Sequence, residues 1–256
     1  MRLIVAKDYA EMSRCAALLV AEAIAKRPFA NIVVPVGATP IGFYRELTTL
    51  HRQGIFDASR LRVFQLDEYG GVARDDPRAF SGWIARTFLE PLGIPPAHVV
   101  LLDGEANDPH AACQEYDETV TAAGGFDIAV LGLGANGHIG FNEPPADPDS
   151  PSRVVRLSAE TRAANALYWG ERTPVPTHAM TCGMAHLLAA RQTLLLVAGA
   201  GKCAILRRAV VGPVTPDVPA SYVCASEQVT ILADAAAWPE PIDGGWASAI
   251  VECGDI

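Results

Sequence analysis

The 256-residue chain lacks the long apolar runs of a membrane protein and the excess of basic residues typical of nucleic-acid binding. No apolar stretch reaches the roughly 20 residues that cross a bilayer. The apolar start at residues 1–6 is too short for a signal peptide, and acidic residues follow it. Lys and Arg number 20 against 29 Asp and Glu, a formal charge of -9. We therefore expect neither a nucleic acid nor a membrane as partner, although a local basic pocket for a small anion fits this balance.

The chain also lacks a CxxC motif and a dense cysteine framework. The absence of both patterns favours reduced thiols and a cytoplasmic location. Half of the residues are apolar and 19% are charged, which excludes disorder over most of the length. The six cysteines are far apart, at Cys15, Cys113, Cys182, Cys203, Cys224 and Cys253.

Short apolar runs alternate along the chain with longer segments of helical periodicity. The run 126–131 is almost continuously apolar, as in a parallel strand that helices cover on both faces. Strands are predicted at 3–6, 31–36, 61–66, 98–102, 126–131, 193–197 and 229–232, with a further strand-like run at 153–157. Helices are predicted at 10–26, 40–50, 77–89, 111–123, 159–168, 184–190 and 202–210.

This alternation predicts an α/β fold: an open, doubly wound, mostly parallel sheet of Rossmann-like type, with helices on both faces. The functional site is then expected at the carboxyl ends of the strands. No internal repeat and no linker rich in Ser, Gly or Pro is present. We therefore predict a single domain over 1–256, whose last residues, from about 240 to 256, form a loose C-terminal tail.

Two segments that follow predicted strands carry unusual residues. In Gly37-Ala-Thr-Pro40, glycine permits a tight turn, Thr39 can cap a helix and Pro40 suits the first helical position. Free backbone N–H groups at such a helix start bind phosphate or carboxylate, although an ordinary capped helix has the same pattern. In Asp67-Glu68-Tyr69-Gly70-Gly71, two acids at a strand end can position a general base, and the alternative is a solvated turn.

A third segment, Gly132-Leu-Gly-Ala-Asn-Gly-His-Ile-Gly-Phe-Asn-Glu-Pro144, has the G-x-G-x-x-G spacing of dinucleotide-binding folds. That fingerprint must open a long helix and be followed by an acid at a second strand end. Here Pro144 and Pro145 forbid a long regular helix, and basic residues flank the next strand-like run. The context excludes the nicotinamide interpretation.

The same glycine loop presents His138, Asn142 and Glu143 at a strand end. An imidazole beside a carboxylate commonly moves protons near neutral pH. One His and one Glu are too few ligands for a metal site, so none is predicted, and a structural histidine is the alternative. Lys202, in Ala198-Gly-Ala-Gly-Lys202, follows another strand and opens a helix, where its ammonium group can reach an anion unless it is simply solvated.

These motifs together resemble the glucosamine-6-phosphate deaminase (isomerase) family, which is related to the 6-phosphogluconolactonases. The resemblance runs from Met1 to about Asp234. It is most specific in Gly37-Ala-Thr-Pro40, Leu66-Asp-Glu-Tyr69 and Gly134-Ala-Asn-Gly-His-Ile-Gly-Phe-Asn-Glu-Pro144. The Phe-Asn-Glu-Pro ending favours the deaminase branch. The resemblance implies the deaminase/lactonase type of α/β fold.

The resemblance further implies an aldose-ketose isomerase and deaminase that converts glucosamine 6-phosphate, or a close amino-sugar analogue, to fructose 6-phosphate and ammonia. Asp67 would move the proton between C2 and C1, and His138 would assist ring opening, oriented by Glu143. Asn136 belongs to the same catalytic group, and no metal or organic cofactor is implied. The substrate and its phosphate would be bound by Gly37, Ala38, Thr39, Glu68 and Lys202.

The sequence departs from the family's pattern at four positions. Asn136 stands where many members have Asp, so Glu143 alone would supply the carboxylate that supports His138. Val36 replaces a common Thr, and Ala38 replaces Gly or Ser. Leu167 stands where the family usually has an arginine that clamps the phosphate, a charge-assisted contact of about 1.5–3 kcal/mol. Arg162 and Arg172 are the candidates to compensate for this loss.

The departures leave the proton-transfer residues in place and weaken phosphate recognition. They therefore favour, as a second hypothesis, another amino sugar or a sugar with a different anionic group as the substrate. Two further functions fit the same fold: a lactone hydrolase and a non-catalytic sugar-phosphate sensor. Release of acid rather than ammonia would identify the hydrolase. The oligomeric state, including a homo-oligomer, is left open by the sequence.

Overall fold

A seven-stranded parallel sheet forms the centre of the structure, a computed structural model that describes residues 1–170 and 174–239. The strands, in chain order, are β1 (Arg2–Ala6), β2 (Asn31–Val34), β3 (Arg62–Gln65), β4 (Asp67–Tyr69), β5 (Val99–Val100), β6 (Ile128–Gly132), β7 (Arg153–Arg156), β8 (His178–Thr181), β9 (Gln192–Val197) and β10 (Val229–Asp234). The central sheet has the order β1-β10-β9-β6-β2-β3-β5. All of its strand pairs are parallel, as predicted.

Helices cover both faces of this sheet, which confirms the predicted doubly wound α/β class. They are α1 (Tyr9–Lys26), α2 (Pro40–Arg52), α3 (Phe80–Ile84, continued as a π-helix over Ala85–Leu89), α4 (Pro109–Ala122), α5 (Ala159–Trp169), α6 (Met184–Leu188), α7 (Cys203–Val211) and α8 (Ala220–Cys224). Short 3₁₀ turns lie at Pro96–His98 and Ala200–Lys202.

The side chains of β6 show why both faces are covered. Successive residues of a strand point to opposite faces. Ile128 and Val130 join the core beneath α1 and α2, whereas Ala129 and Leu131 join the core beneath α4, α6 and α7. A strand buried on both sides reads as a continuous apolar run, which is what the sequence has here.

Local capping fixes where the helices begin. Asp8 Oδ1 accepts a hydrogen bond from Glu11 N at 2.8 Å and so starts α1 at Tyr9. Ser158 Oγ accepts from Thr161 N at 3.1 Å at the start of α5. Pro40 occupies the first position of α2, as predicted, because proline has no N–H to leave unpaired there.

A second, three-stranded antiparallel sheet has the order β4-β8-β7. Asp67–Tyr69, predicted as a loop, forms strand β4 of this sheet, so that prediction is wrong. Strand β8 was not predicted at all. Its pairing partners are far away in sequence, and its four residues are too few to show a period. The second sheet packs on an aromatic cluster formed by Tyr69, Phe80, Phe141 and Trp169.

Three other predictions are not confirmed as they were made. The helix predicted at 77–89 begins only at Phe80. Cys15 is disulfide-bonded, so the prediction of reduced thiols is wrong for this residue. Cys113, Cys182, Cys203 and Cys224 are free thiols. The predicted tail at 240–256 lies outside the described residues, and the single-domain assignment stays a prediction. Over the described ranges, no helix is long and apolar enough to cross a membrane.

Candidate active site

A cavity of about 540 Å³ opens at the carboxyl ends of β2, β3, β6 and β9. This is the edge at which the sequence placed the site. Loops that follow these four strands form most of its wall, and one face of α5 completes it. The structure brings together seven of the predicted site residues in this wall: Gly37, Ala38, Thr39, Asp67, Asn136, His138 and Lys202.

The segment from Gly37 to Thr39 presents backbone donors to this cavity. Gly37 has a φ of 126°, a conformation that L side chains rarely adopt, so glycine is required at this turn. Over the described ranges, the N–H groups of Gly37, Ala38 and Thr39 donate to no protein acceptor. The Thr39 side chain makes no capping hydrogen bond, contrary to the suggestion that it caps α2. Three free N–H groups at a helix start suit an anionic ligand.

Asp67 lies at the first position of β4, with only 7% of its surface exposed. Its Oδ1 atom is buried and has no hydrogen-bond partner among the described residues. Burial raises the pKa of this carboxyl to about 8, and the negative charge of Glu68 adds to the rise. The carboxyl group is therefore poised to exchange a proton near neutral pH, which is a property of general acids and bases.

Glu68 lies outside the cavity wall, so the structure does not bring it together with the other predicted site residues. Its side chain is 1% exposed. Its two oxygens accept hydrogen bonds from the backbone N–H groups of Tyr69, Phe80 and Ser81, at 2.7–2.9 Å, and from Gln65 Nε2 at 3.0 Å. In this arrangement Glu68 ties β4 to the start of α3 and acts on the site through its charge.

The glycine loop after β6 holds His138 against the backbone. A Cβ on Gly134 would overlap the His138 ring, so only glycine leaves room for the imidazole. Gly134 N donates to His138 O at 3.0 Å, and Asn136 Oδ1 accepts from His138 N at 3.2 Å. The chain after Gly137 continues as a loop to β7 without a helix, in agreement with the exclusion of a dinucleotide fingerprint.

Burial lowers the pKa of His138 to about 4. The negative charge of Glu143 opposes this shift, whereas the positive charge of Lys202 adds to it. The imidazole is therefore neutral at neutral pH and can accept a proton. His138 Nδ1 and Glu143 Oε1 are both buried, and neither has a hydrogen-bond partner among the described residues. Glu143 Oε2 accepts from Ser158 N at 3.1 Å. The two side chains are coupled by charge but not joined by a hydrogen bond.

Lys202 lies half-buried in the cavity wall, and burial lowers the pKa of its ammonium group. Its loop is fixed by Asp234, whose carboxylate oxygens each accept from Gly199 N at 3.0 Å. Lys202 is the cationic side chain that the described wall contributes to the cavity. Among all the residues that the structure describes, no group of three or more His, Cys, Asp and Glu side chains is arranged to hold a metal ion.

On α5 the sequence singled out Leu167 and Arg162, and it did not name the residues through which this helix lines the cavity. Glu160, Thr161, Ala164, Asn165 and Tyr168 all face the cavity, at the spacing of one helix face. Mixed polar and apolar residues at that spacing also occur on ordinary surface helices, so periodicity gave no signal and only the family resemblance, through Leu167, pointed to this helix. Tyr69, Phe80, Trp83 and Phe141 add aromatic surface to the wall.

The predicted loss of a phosphate clamp concerns α5 as well. Leu167 belongs to this helix, but its side chain lies outside the described part of the structure, as does Arg172. Arg162 is half-buried and does not line the cavity. Val36 and Ala38, two other departures from the family's pattern, both line the cavity.

Comparison with known proteins gives one consistent match. The family model for glucosamine-6-phosphate isomerases/6-phosphogluconolactonase matches residues 8–232. The glucosamine-6-phosphate deaminase of Cutibacterium acnes is 40% identical over 237 residues, which cover 93% of this chain and 91% of that protein. The glucosamine-6-phosphate deaminase of Halothermothrix orenii is 37% identical over 234 residues, which cover 91% and 97% of the two chains.

Solved structures extend the comparison. A monomeric glucosamine-6-phosphate deaminase superposes with a TM-score of 0.89 at 35% identity, over 93% of this chain and 98% of that one. A 6-phosphogluconolactonase from Trypanosoma cruzi superposes with a TM-score of 0.75 at 20% identity, over 94% and 97% of the two chains. At that identity the second match shows the common fold alone.

Proposed function

The chain belongs to the family of glucosamine-6-phosphate isomerases and 6-phosphogluconolactonases, and we propose that within it the protein is a glucosamine-6-phosphate deaminase. The observation that carries this assignment is its match to glucosamine-6-phosphate deaminases at 32–40% identity over at least 91% of the chain. The lactonases of known structure are near 20% identical and share the fold. A lactone hydrolase is therefore not favoured.

The reaction opens the sugar ring, moves a proton from C2 to C1, and replaces the amine at C2 with a carbonyl oxygen from water. Its products are fructose 6-phosphate and ammonia. Asp67 is our candidate for the base at C2, since it lines the cavity and its raised pKa lets it exchange a proton near neutral pH. An ammonium group on C2 of the substrate would favour the ionised carboxylate through opposite charge.

His138 is our candidate for the proton carrier in ring opening. Its neutral imidazole can transfer a proton to or from the ring oxygen. Glu143 is then a positioning residue, which acts on the imidazole rather than on the sugar. Hydrogen bonds of this kind are often long in the absence of substrate and tighten when it binds. The unpaired, buried Nδ1 and Oε1 atoms support such a closure.

The 6-phosphate is assigned to backbone donors and a cation of the same cavity wall. The free N–H groups of Gly37, Ala38 and Thr39 would donate to its oxygens, and the Lys202 ammonium would supply the charge. With Leu167 in place of a clamping arginine, we expect weaker binding of this phosphate than in relatives that retain it. A cytoplasmic location and a homo-oligomer stay predictions, and one related deaminase of known structure is monomeric.

Product analysis tests the proposed function. The protein is incubated with glucosamine 6-phosphate, and ammonia and fructose 6-phosphate are measured separately. We expect the two products in a 1:1 ratio. Parallel incubation with 6-phosphogluconolactone should release no acid above the uncatalysed rate. Acid release from the lactone without ammonia from the amino sugar would assign the protein to the lactonase branch instead.

A further inference from the structure

Tyr9 lies at the first position of α1, outside the cavity wall. Its hydroxyl group contacts three backbone atoms, two in the segment Gly37–Thr39, which we call the phosphate loop, and one in the first turn of α2. It donates towards Ala38 O at 3.1 Å and Thr39 O at 3.0 Å, and it accepts from Gly42 N at 2.8 Å. One side chain, 29 to 33 residues away in sequence, thus holds the whole turn between β2 and α2.

The contact to Ala38 O decides which way the Ala38–Thr39 peptide group points. A trans peptide is planar, so its C=O and N–H groups point in opposite directions. When Tyr9 holds the Ala38 carbonyl towards α1, the N–H of the same peptide, which belongs to Thr39, points away from α1. That N–H donates to no protein acceptor within the described ranges, and Thr39 lines the cavity.

The close approach of α1 and α2 depends on glycine at position 42. A Cβ there would lie 2.9 Å from Tyr9 Oη and closer still to Ser13 Oγ. The positions of the Tyr9 hydroxyl and of the Gly42 N–H are therefore both fixed. Asp8 caps α1 and places Tyr9, and Gly42 lets α2 come within hydrogen-bond distance of its hydroxyl. A loop whose donors are held in advance loses less entropy when it binds a ligand.

We propose that Tyr9 is a positioning residue for the substrate's phosphate, whose hydroxyl holds the Ala38–Thr39 peptide so that the Thr39 N–H faces the anion. The inference rests on the proposed function for the identity of the anion. Tyr9 does not touch the substrate. Its effect is confined to ligands that carry a phosphate group.

The test replaces Tyr9 with phenylalanine, which keeps the ring and removes the three contacts. Because Tyr9 is 36% exposed, this variant should fold. Thr49→Val is the matched control: it removes one hydroxyl-to-backbone bond in α2, from Thr49 Oγ1 to Arg45 O at 3.0 Å, far from the loop. Kinetics with glucosamine 6-phosphate and with unphosphorylated glucosamine are compared. Binding of inorganic phosphate is measured by calorimetry.

We expect Tyr9→Phe to raise KM for glucosamine 6-phosphate by about fivefold and to leave kcat within about twofold. Binding of inorganic phosphate should weaken by a similar factor, kcat/KM for glucosamine should stay unchanged, and Thr49→Val should match the wild type. Equal losses on both sugars would make the hydroxyl merely structural and overturn the inference.

Failure of the proposed function would look different. A wild-type protein that releases no ammonia would remove that function, but the phosphate titration would still decide the role of Tyr9. Identical titrations of the wild type and Tyr9→Phe, including no binding by either, would contradict the inference.

Discussion

Replacing Glu68 with glutamine should move the pH dependence of catalysis towards acid. Glu68 and Asp67 are consecutive, buried residues of β4, and the negative charge of Glu68 raises the pKa of Asp67. Consecutive strand residues point to opposite faces, which places the two carboxyl groups roughly 7 Å apart. With an effective dielectric constant of about 20, a unit charge at that distance contributes about 2 kcal/mol, or between about one and two pKa units.

The wild-type pKa of Asp67 is about 8, so about a tenth of the molecules carry the carboxylate at pH 7. If the pKa falls by one to two units in Glu68→Gln, the ionised fraction at pH 7 rises about five- to tenfold. The sign follows from the role of Asp67 as a base: activity requires the ionised form, which is lost as the pH falls through this pKa.

The assay measures kcat/KM from pH 6 to 9 for both proteins and takes their ratio at each pH. The ratio cancels the ionisation of the substrate. Normalised at pH 9, it should rise to about five- to tenfold at pH 7. Glu105→Gln is the matched control. The Glu105 carboxylate accepts a hydrogen bond from Arg74 N at 3.0 Å on the surface, and the loss of its charge should leave the pH profile of kcat/KM unchanged.

Glu68→Gln will also lose stability, because its amide nitrogen takes the place of one accepting oxygen and would face the N–H donor of either Phe80 or Ser81, so its folding must be verified by circular dichroism. A ratio that stays flat in a folded variant would refute the reasoning: either Asp67 is not the titrating base, or the charge of Glu68 does not set its pKa.

Two further predictions concern ring opening and phosphate binding. His138→Gln should reduce turnover of the closed-ring sugar more than turnover of an open-chain analogue, because His138 is assigned to ring opening; equal losses measured on both would move His138 to the isomerisation step or to structure. Leu167→Arg should lower KM for glucosamine 6-phosphate by about tenfold or more with kcat nearly unchanged, since a recovered charged contact is worth about 1.5 kcal/mol or more. A wild-type KM already in the low micromolar range would show that another residue supplies the clamp.

The central sheet and the main loops of the site follow from local patterns in the sequence. The near-continuous apolar run of β6 predicts a strand covered on both faces. The turn at Gly37 and the glycine loop before His138 follow strands, and in a parallel sheet all such loops meet at one edge. Residue type and position in the chain were enough to place Asp67, His138 and Lys202 in one cavity.

The remaining features depend on contacts between distant segments. Strand β8 is four residues long and pairs with β4 and β7, so its formation is decided by tertiary contacts rather than by periodicity. Glu68 has the residue type of a ligand, and only the positions of Phe80 and Ser81 show that its oxygens are already occupied. Tyr9 touches the phosphate loop through a separation that no local pattern reveals.

The most direct test of the central claim is the rate of ammonia release from glucosamine 6-phosphate by Asp67→Asn beside the wild type. Asparagine keeps the size of the side chain and cannot accept the C2 proton, and the variant's fold can be confirmed by its unchanged binding of inorganic phosphate. We expect ammonia release to fall by orders of magnitude while phosphate binding is retained. Near-normal ammonia release by the variant would exclude Asp67 as the base at C2.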